Sequence, residues 1–172
     1  MENNNRYNRS LESLTIFIPF YNEEDSIPSL AKRLIPVVRQ LQLNWQVQLV
    51  MVDDGSSDKT HQSLLNYFTG LPFIQTTVLQ HTQNRGIGGA MQTAFMAATG
   101  DLICTLDSDC TYAPEKLPEM LDMMLSENAD IITGSPYHPL GRVENVDSRR
   151  LLLSKTASII YSFLVPTKLH CY

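Results

Sequence analysis

The sequence predicts an α/β domain with a mainly parallel sheet flanked by helices. Short apolar runs alternate with longer helical patterns along the chain, which is the rhythm of repeated strand–helix units. Polar, acid-rich clusters follow the first, second and fourth of those runs, where a parallel sheet places its ligand-binding rim. The chain has 172 residues, 43% of them hydrophobic and 18% charged, enough for one domain with a sizeable core.

Each element has its own signal. Residues 14–20 (LTIFIPF) read as a buried strand closed by Pro19, and residues 21–25 as a polar loop. Ser26 is an N-cap candidate for a helix to about Leu43, with Pro28 in its first turn and a kink or break expected at Pro36. Residues 45–52 form a second strand that ends in Asp53-Asp54-Gly55-Ser56-Ser57-Asp58, a dense turn signal. A helix over residues 59–68, a strand over 76–80, a loop over 81–86 and a helix over 87–98 follow. Residues 101–106 make the fourth strand and lead into Asp107-Ser108-Asp109. Pro114 opens a helix to Ser126, where its missing N–H costs nothing. Met120, Met123 and Met124 are expected in the core of that helix. A fifth strand over 129–133, a loop over 134–147 and an amphipathic helix over 148–165 complete the pattern. Residues 1–12 read as a disordered polar tail, and residues 13–172 as a single domain.

Composition excludes some classes. A formal net charge of −5 gives no basic footprint for nucleic acid, so no nucleic-acid partner is expected. Three cysteines, Cys104, Cys110 and Cys171, make neither a disulfide framework nor a zinc site, and Cys104 reads as a small buried hydrophobe. The Asn-rich start is neither a signal peptide nor a spanning helix, and no run reaches the ~20 apolar residues that cross a bilayer. A cytoplasmic chain, soluble or peripheral to a membrane, is the expectation.

The chemistry concentrates on the rim. Residues 21–24, 53–58 and 107–109 bring acidic groups together, where a cation or nucleoside donors would satisfy them. Asp107 and Asp109 are two apart, so an extended backbone points both carboxylates to one side. Such hard oxygen pairs suit Mg²⁺ or Mn²⁺. Asp53 to Asp58 also reads as turn and helix-cap chemistry, with Ser57 or Asp58 as N-cap. Asn84-Arg85-Gly86-Ile87-Gly88-Gly89 fits a diphosphate cradle at a helix N-terminus or glycines used for packing. His61, His81, His138 and His170 are scattered and suggest no ligand set.

Together, Ile18-Pro19-Phe20-Tyr21-Asn22-Glu23-Glu24, Val52-Asp53-Asp54-Gly55-Ser56-Ser57-Asp58 and Leu106-Asp107-Ser108-Asp109 resemble the family 2 inverting glycosyltransferases of GT-A fold. Asn84-Arg85-Gly86 and Gly134-Ser135-Pro136-Tyr137-His138-Pro139 make the chain similar to the dolichyl/polyprenyl-phosphate sugar synthase branch. The resemblance implies a nucleotide-sugar-binding domain that moves a hexose from GDP-mannose or a UDP-sugar to a polyprenyl or dolichyl phosphate. Pro19, Tyr21 and Glu23 would line the nucleoside pocket, Asp53 and Asp54 would reach base or ribose, and Val52 and Ser108 would adjoin the donor. Asp107 and Asp109 would hold Mg²⁺ or Mn²⁺ on the donor diphosphate. No catalytic base is assigned, because a phosphate acceptor is already an anionic nucleophile.

Two departures from the family pattern stand out. Pro136 occupies a position where the synthases often carry Arg, with Arg142, Arg149 or Arg150 as substitutes. The chain also stops at Cys171-Tyr172, where the family continues, so a missing C-terminal part is expected. The helix over 148–165 combines Arg149, Arg150 and Lys155 with Leu151, Leu152, Ile159, Ile160, Phe163 and Leu164, which suits a membrane surface beside a lipid acceptor or packing on a partner. Oligomerisation is open. The alternatives are transfer to a polysaccharide or other acceptor, and a non-catalytic nucleotide-sugar-binding fragment.

Overall fold

The computed structural model describes residues 12–134. Residues 1–11, the loop expected up to residue 147 with Pro136 and Arg142, the helix expected over 148–165 and Cys171 lie outside the described residues. The chain divides into two units at Asp130, and every helix and strand below belongs to the first.

Among the described residues the strands are β1 (Ser13–Phe20), β2 (Gln46–Asp53), β3 (Gln75–Gln80) and β4 (Leu102–Thr105). The helices are α1 (Ile27–Leu41), α2 (Thr60–Phe68), α3 (Gly86–Ala97) and α4 (Leu117–Ser126), the last preceded by a 3₁₀ turn at Pro114–Lys116. The strands form one parallel sheet in the order β3-β2-β1-β4. Parallel neighbours cannot be joined by a tight turn, so a helix crosses over between successive strands, as the alternating pattern predicts.

Strand alternation sorts the core into two faces. Leu14, Ile16, Ile18 and Phe20 of β1 and Val47, Leu49 and Met51 of β2 pack with α1, α2 and α4, the larger cluster. Phe17, Val50 and Val52 point the other way, onto Ala90 and Ala94 of α3. Two polar residues interrupt these runs, and both are bonded. Thr15 Oγ1 donates to Gln48 Oε1 (2.8 Å), which also accepts from the Thr99 N–H (3.0 Å), while Gln48 Nε2 donates to the Ala97 carbonyl (3.1 Å). The Gly100 N–H donates to Thr15 Oγ1 (3.0 Å), so this buried network anchors the turn that launches β4.

Some expectations change. No break occurs at Pro36: α1 runs through it, because Pro36 and Lys32 lie on the exposed face, where water can solvate the carbonyl that loses its partner. Ser26 precedes α1 without a side-chain cap; its hydroxyl instead donates to Glu23 Oε2 (2.7 Å). Residues 129–133 are not a strand in this structure. The Ala129 N–H closes the end of α4 by donating to the Met124 carbonyl (3.0 Å), and Ile131 is 80% exposed. A main-chain N–H used at the end of a helix is not offered to a strand, whatever the composition that follows it. Met123 is exposed, because the buried stripe of α4 runs through Leu117 and Leu121 with Met124 packed beside it. Cys104 is half-buried rather than fully enclosed, and burial pushes its thiol up to about 12.

Candidate functional site

All four strands are parallel, so their carboxyl ends share one edge. Phe20 of β1 sits level with Asp53 of β2, and Asp53 with Gln80 of β3. On the other side, Thr105 of β4 is level with Phe17. Chain order reverses at β1, whose neighbours are β2 on one side and β4 on the other. The segments after β1 and β4 therefore flank the topological switch point, where open α/β sheets bind ligands.

The loop after β1 is bonded to the loop after β2 along its length. Asn22, in the left-handed region at φ 55°, accepts at Oδ1 from the Ser57 N–H (2.9 Å), and its own N–H donates to Ser56 Oγ (2.9 Å). The Glu23 N–H donates to Thr60 Oγ1 (2.8 Å), and the Lys59 N–H to Glu24 Oε2 (2.7 Å). Asp58 accepts from the N–H groups of Thr60 (2.9 Å) and Glu24 (3.2 Å). Burial raises the Asp58 carboxyl, but the bonds from Thr60 and Glu24 outweigh it and leave it below the ordinary value. Neither Ser57 nor Asp58 is the N-cap: α2 starts after Lys59 without a side-chain cap, and the Asp58 carboxylate instead closes an Asx turn onto the Thr60 N–H. Pro19 is half-buried at the rim, Tyr21 is half-exposed above it, and the partly buried Glu23 carboxylate is held by Ser26.

Asp53 and Asp54 share a motif but face opposite sides of the sheet. Asp53 is fully buried: Oδ1 accepts from the Ser56 N–H (3.0 Å), Oδ2 from Gln80 Nε2 (3.0 Å), and His61 Nδ1 of α2 is 3.7 Å from Oδ2. Asp54 turns to the α3 side, where Oδ1 lies 2.6 Å from His81 Nδ1 and accepts from the Arg85 N–H (2.9 Å). Burial raises the Asp54 carboxyl, yet the bonds from His81 and Arg85 hold it below the ordinary carboxylate value. Val52 is fully buried against α3, so only its main chain belongs to the rim. Gly55, at φ +74°, lies against the main chain of Gln83 and Asn84, and a depression of about 300 Å³ opens between Gly55, Ser56, Gln80, His81 and Thr82. His81 was not legible as part of this site. Its partner is 27 residues away, and no local spacing signals it.

Beyond β4, Asp107 and Asp109 are exposed and Ser108 is buried between them. Thr111 orients Asp109, donating from its N–H to Oδ1 (2.8 Å) and from its hydroxyl to Oδ2 (2.7 Å). Desolvation and then the charge of Asp109 push the Asp107 carboxyl above its ordinary value. Arg33 of α1 braces the loop with a bidentate pair to Glu115 (2.9 and 2.8 Å) and a longer bond to the Cys110 carbonyl (3.4 Å). Among the described residues no three His, Cys, Asp or Glu side chains group as a metal site. Two hard carboxylates whose charges oppose each other still fit an ion of the Mg²⁺ or Mn²⁺ class, which takes few protein ligands and completes its shell with phosphate and water.

A model of glycosyl transferase family 2 matches residues 15–170. The chain belongs to that family. Among curated family 2 relatives, the dolichol-phosphate mannosyltransferase of Pyrococcus furiosus is 29% identical over 153 residues, 89% of this chain and 41% of the relative. The polyprenol monophosphomannose synthase of Mycolicibacterium smegmatis is 32% identical over 165 residues, 94% of this chain and 59% of the relative. An undecaprenyl-phosphate 4-deoxy-4-formamido-L-arabinose transferase of Photorhabdus laumondii is 32% identical over 155 residues, 90% and 44% respectively. The chain thus spans 41–59% of the length of these relatives. Two solved structures share the fold. The mannosyltransferase PcManGT of Pyrobaculum calidifontis, in complex with GDP-Man and Mn²⁺, matches with a TM-score of 0.55 at 22% identity, over 68% of this chain and 35% of that one. The glucosyl-3-phosphoglycerate synthase of Mycobacterium tuberculosis, in complex with UDP, matches at 0.53 and 23%, over 86% and 52%. The family 2 domain described here is accordingly of GT-A type.

Proposed function

We propose that this chain binds the donor in a glycosyltransferase that moves a hexose from a nucleotide-diphosphate sugar to a polyprenyl or dolichyl phosphate. The observation that carries the reading is the convergence of residues 21–24, 53–54 and 107–109 on one rim around the switch point. The names of the three curated relatives above, all transferases or synthases of lipid-phosphate type, support the acceptor class.

In this reading Pro19, Tyr21 and Glu23 flank the nucleoside, and Asp54 accepts from its base or ribose. Asp53 supports the turn that presents them, since both of its carboxylate oxygens already accept from Ser56 and Gln80. Asp107 and Asp109 would hold Mg²⁺ or Mn²⁺, with Ser108 adjoining the donor. When bound, the ion would supply Lewis-acid stabilisation of the departing nucleoside diphosphate. A phosphate oxygen of the acceptor forms the new bond to the anomeric carbon as the bond from that carbon to the diphosphate breaks, with inversion. The acceptor enters as an anion, so no side chain has to remove a proton from it. Among the described residues no helix is long and apolar enough to cross a membrane. A lipid-phosphate acceptor implies work at a membrane surface, and we place it at the cytoplasmic face.

Calorimetric titration with GDP, UDP and their sugars, with and without Mn²⁺, tests the reading. One of these nucleotides is expected to bind in a metal-dependent way. A folded chain that binds none of them overturns the donor site.

A further inference from the structure

His81 is 8% exposed and bonded at both ring nitrogens: Nδ1 is 2.6 Å from Asp54 Oδ1, and Nε2 is 2.8 Å from Thr93 Oγ1 on α3. An ionised carboxylate only accepts, so Nδ1 carries the hydrogen, and in the neutral ring Nε2 accepts from the Thr93 hydroxyl. The Arg85 N–H, at the residue before α3, reaches the same Asp54 oxygen (2.9 Å). Two donors therefore converge on Oδ1, and neither uses Oδ2. Rotation of the carboxylate would sacrifice both bonds at once. The ring also spans two elements, so it ties the end of β2 to the second turn of α3.

We propose that His81 is a positioning residue for Asp54, holding its carboxylate in one orientation so that the donor nucleoside meets an acceptor already in place. This rests on the reading of Asp54 as a nucleoside contact. Preorganisation of this kind saves the ordering cost that a mobile carboxylate would incur on binding. The groups around the ring are few. Asp54 and Thr93 bond it, Arg85 contributes its main chain, and the Asp53 carbonyl accepts from the His81 N–H (2.9 Å) while the Asp53 carboxylate turns toward Gln80 and His61.

The test titrates UDP and GDP in Mn²⁺ into the full chain and into Asp54→Asn, His81→Asn, His81→Gln and Thr93→Val, each checked for folding by circular dichroism. Asparagine keeps a donor near the Nδ1 position, and glutamine reaches toward Thr93 instead. For the nucleotide that binds, His81→Gln is expected to weaken affinity about tenfold or more, the scale of a lost hydrogen bond to a charged group. His81→Asn should stay within about threefold of the parent, and Thr93→Val should fall between. The pH profile separates positioning from mere packing. The acid loss of affinity should move to higher pH in His81→Gln, because Asp54 loses a bond that favours its ionised form. If Asp54→Asn weakens binding while His81→Gln keeps the parent's affinity and acid limb, the proposal is overturned and the donor site stands. If His81→Asn loses as much affinity as Asp54→Asn, a retained Nδ1-type donor is not what matters, and the proposal again fails. If Asp54→Asn binds like the parent, the donor-site reading itself falls.

Discussion

A methyl group added at Gly55 gives a direct measure of how tightly the rim is built. Gly55 has φ +74°, and a Cβ there would lie 2.4 Å from the Gln83 carbonyl carbon and 2.6 Å from the Asn84 nitrogen. Both are main-chain atoms, so no rotamer change relieves the overlap. Gly70 provides an internal control: its φ is also +74°, but nothing lies within 4 Å of its Cβ position. The left-handed conformation costs alanine roughly 1–2 kcal/mol at either site, partly offset by about 0.4–1 kcal/mol from the stiffer unfolded chain. Only Gly55→Ala adds overpacking, on the order of 1–3 kcal/mol. Gly70→Ala should therefore cost about 0–1.6 kcal/mol and Gly55→Ala about 1–4.6 kcal/mol. Urea unfolding followed by circular dichroism reads the difference as roughly 0.5–1.5 M between midpoints, for a slope of about 2 kcal/mol/M. The clash also pushes the segment at residues 83–84 away, one residue before the Arg85 N–H that holds Asp54, so nucleotide affinity should fall in Gly55→Ala and not in Gly70→Ala. Equal midpoints for the two variants would refute the close approach.

Three further outcomes follow from the site. Asp107 carries a raised pKa in the folded chain, so its contribution to stability is fully present below the unfolded value near 3.8 and is lost as pH rises through the folded value. Asp107→Asn should thus leave the metal-free chain at least as stable at pH 7, by no more than about 0.5 kcal/mol after solvent screening, while abolishing metal-dependent nucleotide binding. Loss of stability together with retained metal response contradicts it. Arg33 holds the Glu115 carboxyl down at about 2, so that pair stabilises above the unfolded value near 4.5 and fades as pH falls toward 2. The pair is half-exposed and worth at most about 1 kcal/mol; Arg33→Ala should instead show itself as weaker metal-dependent binding through a looser loop at residues 107–115, measured by calorimetry. Gln48→Leu removes the acceptor of Thr15 and Thr99 and the donor to Ala97, and should cost about 2–4 kcal/mol in urea unfolding. A cost under about 0.5 kcal/mol would show that water replaces those bonds.

Much of this arrangement was legible because its causes are local. Apolar runs marked β1, β2 and the shorter β4, and the turn chemistry of residues 53–58 placed a polar cluster where a parallel strand ends. What the sequence could not display depends on partners distant along the chain. Thr15 and Gln48 look like faults in buried strands until the turn at Ala97 to Gly100 arrives to bond them. Residues 129–133 have strand composition, but the Ala129 N–H is used by the Met124 carbonyl at the end of α4. The least legible feature is also the most informative for function. Read as letters, Asp53 and Asp54 are a pair, but adjacent residues at a strand end point to opposite faces. One register step gives Asp53 to the α2 side, where Ser56 and Gln80 use both of its oxygens, and gives Asp54 to the α3 side, where His81 and Arg85 share one. Equivalent substitutions should therefore have different effects. Asp53→Asn places an amide where the Ser56 N–H or the Gln80 amide needs an acceptor, so it should reduce stability first. Asp54→Asn keeps an acceptor for His81 and Arg85 but removes the charge, so it should reduce nucleotide affinity first. Unfolding midpoints and nucleotide titrations on the two variants separate the roles, and matching losses in both measurements would mean that the strand's alternation does not divide structure from binding at this rim.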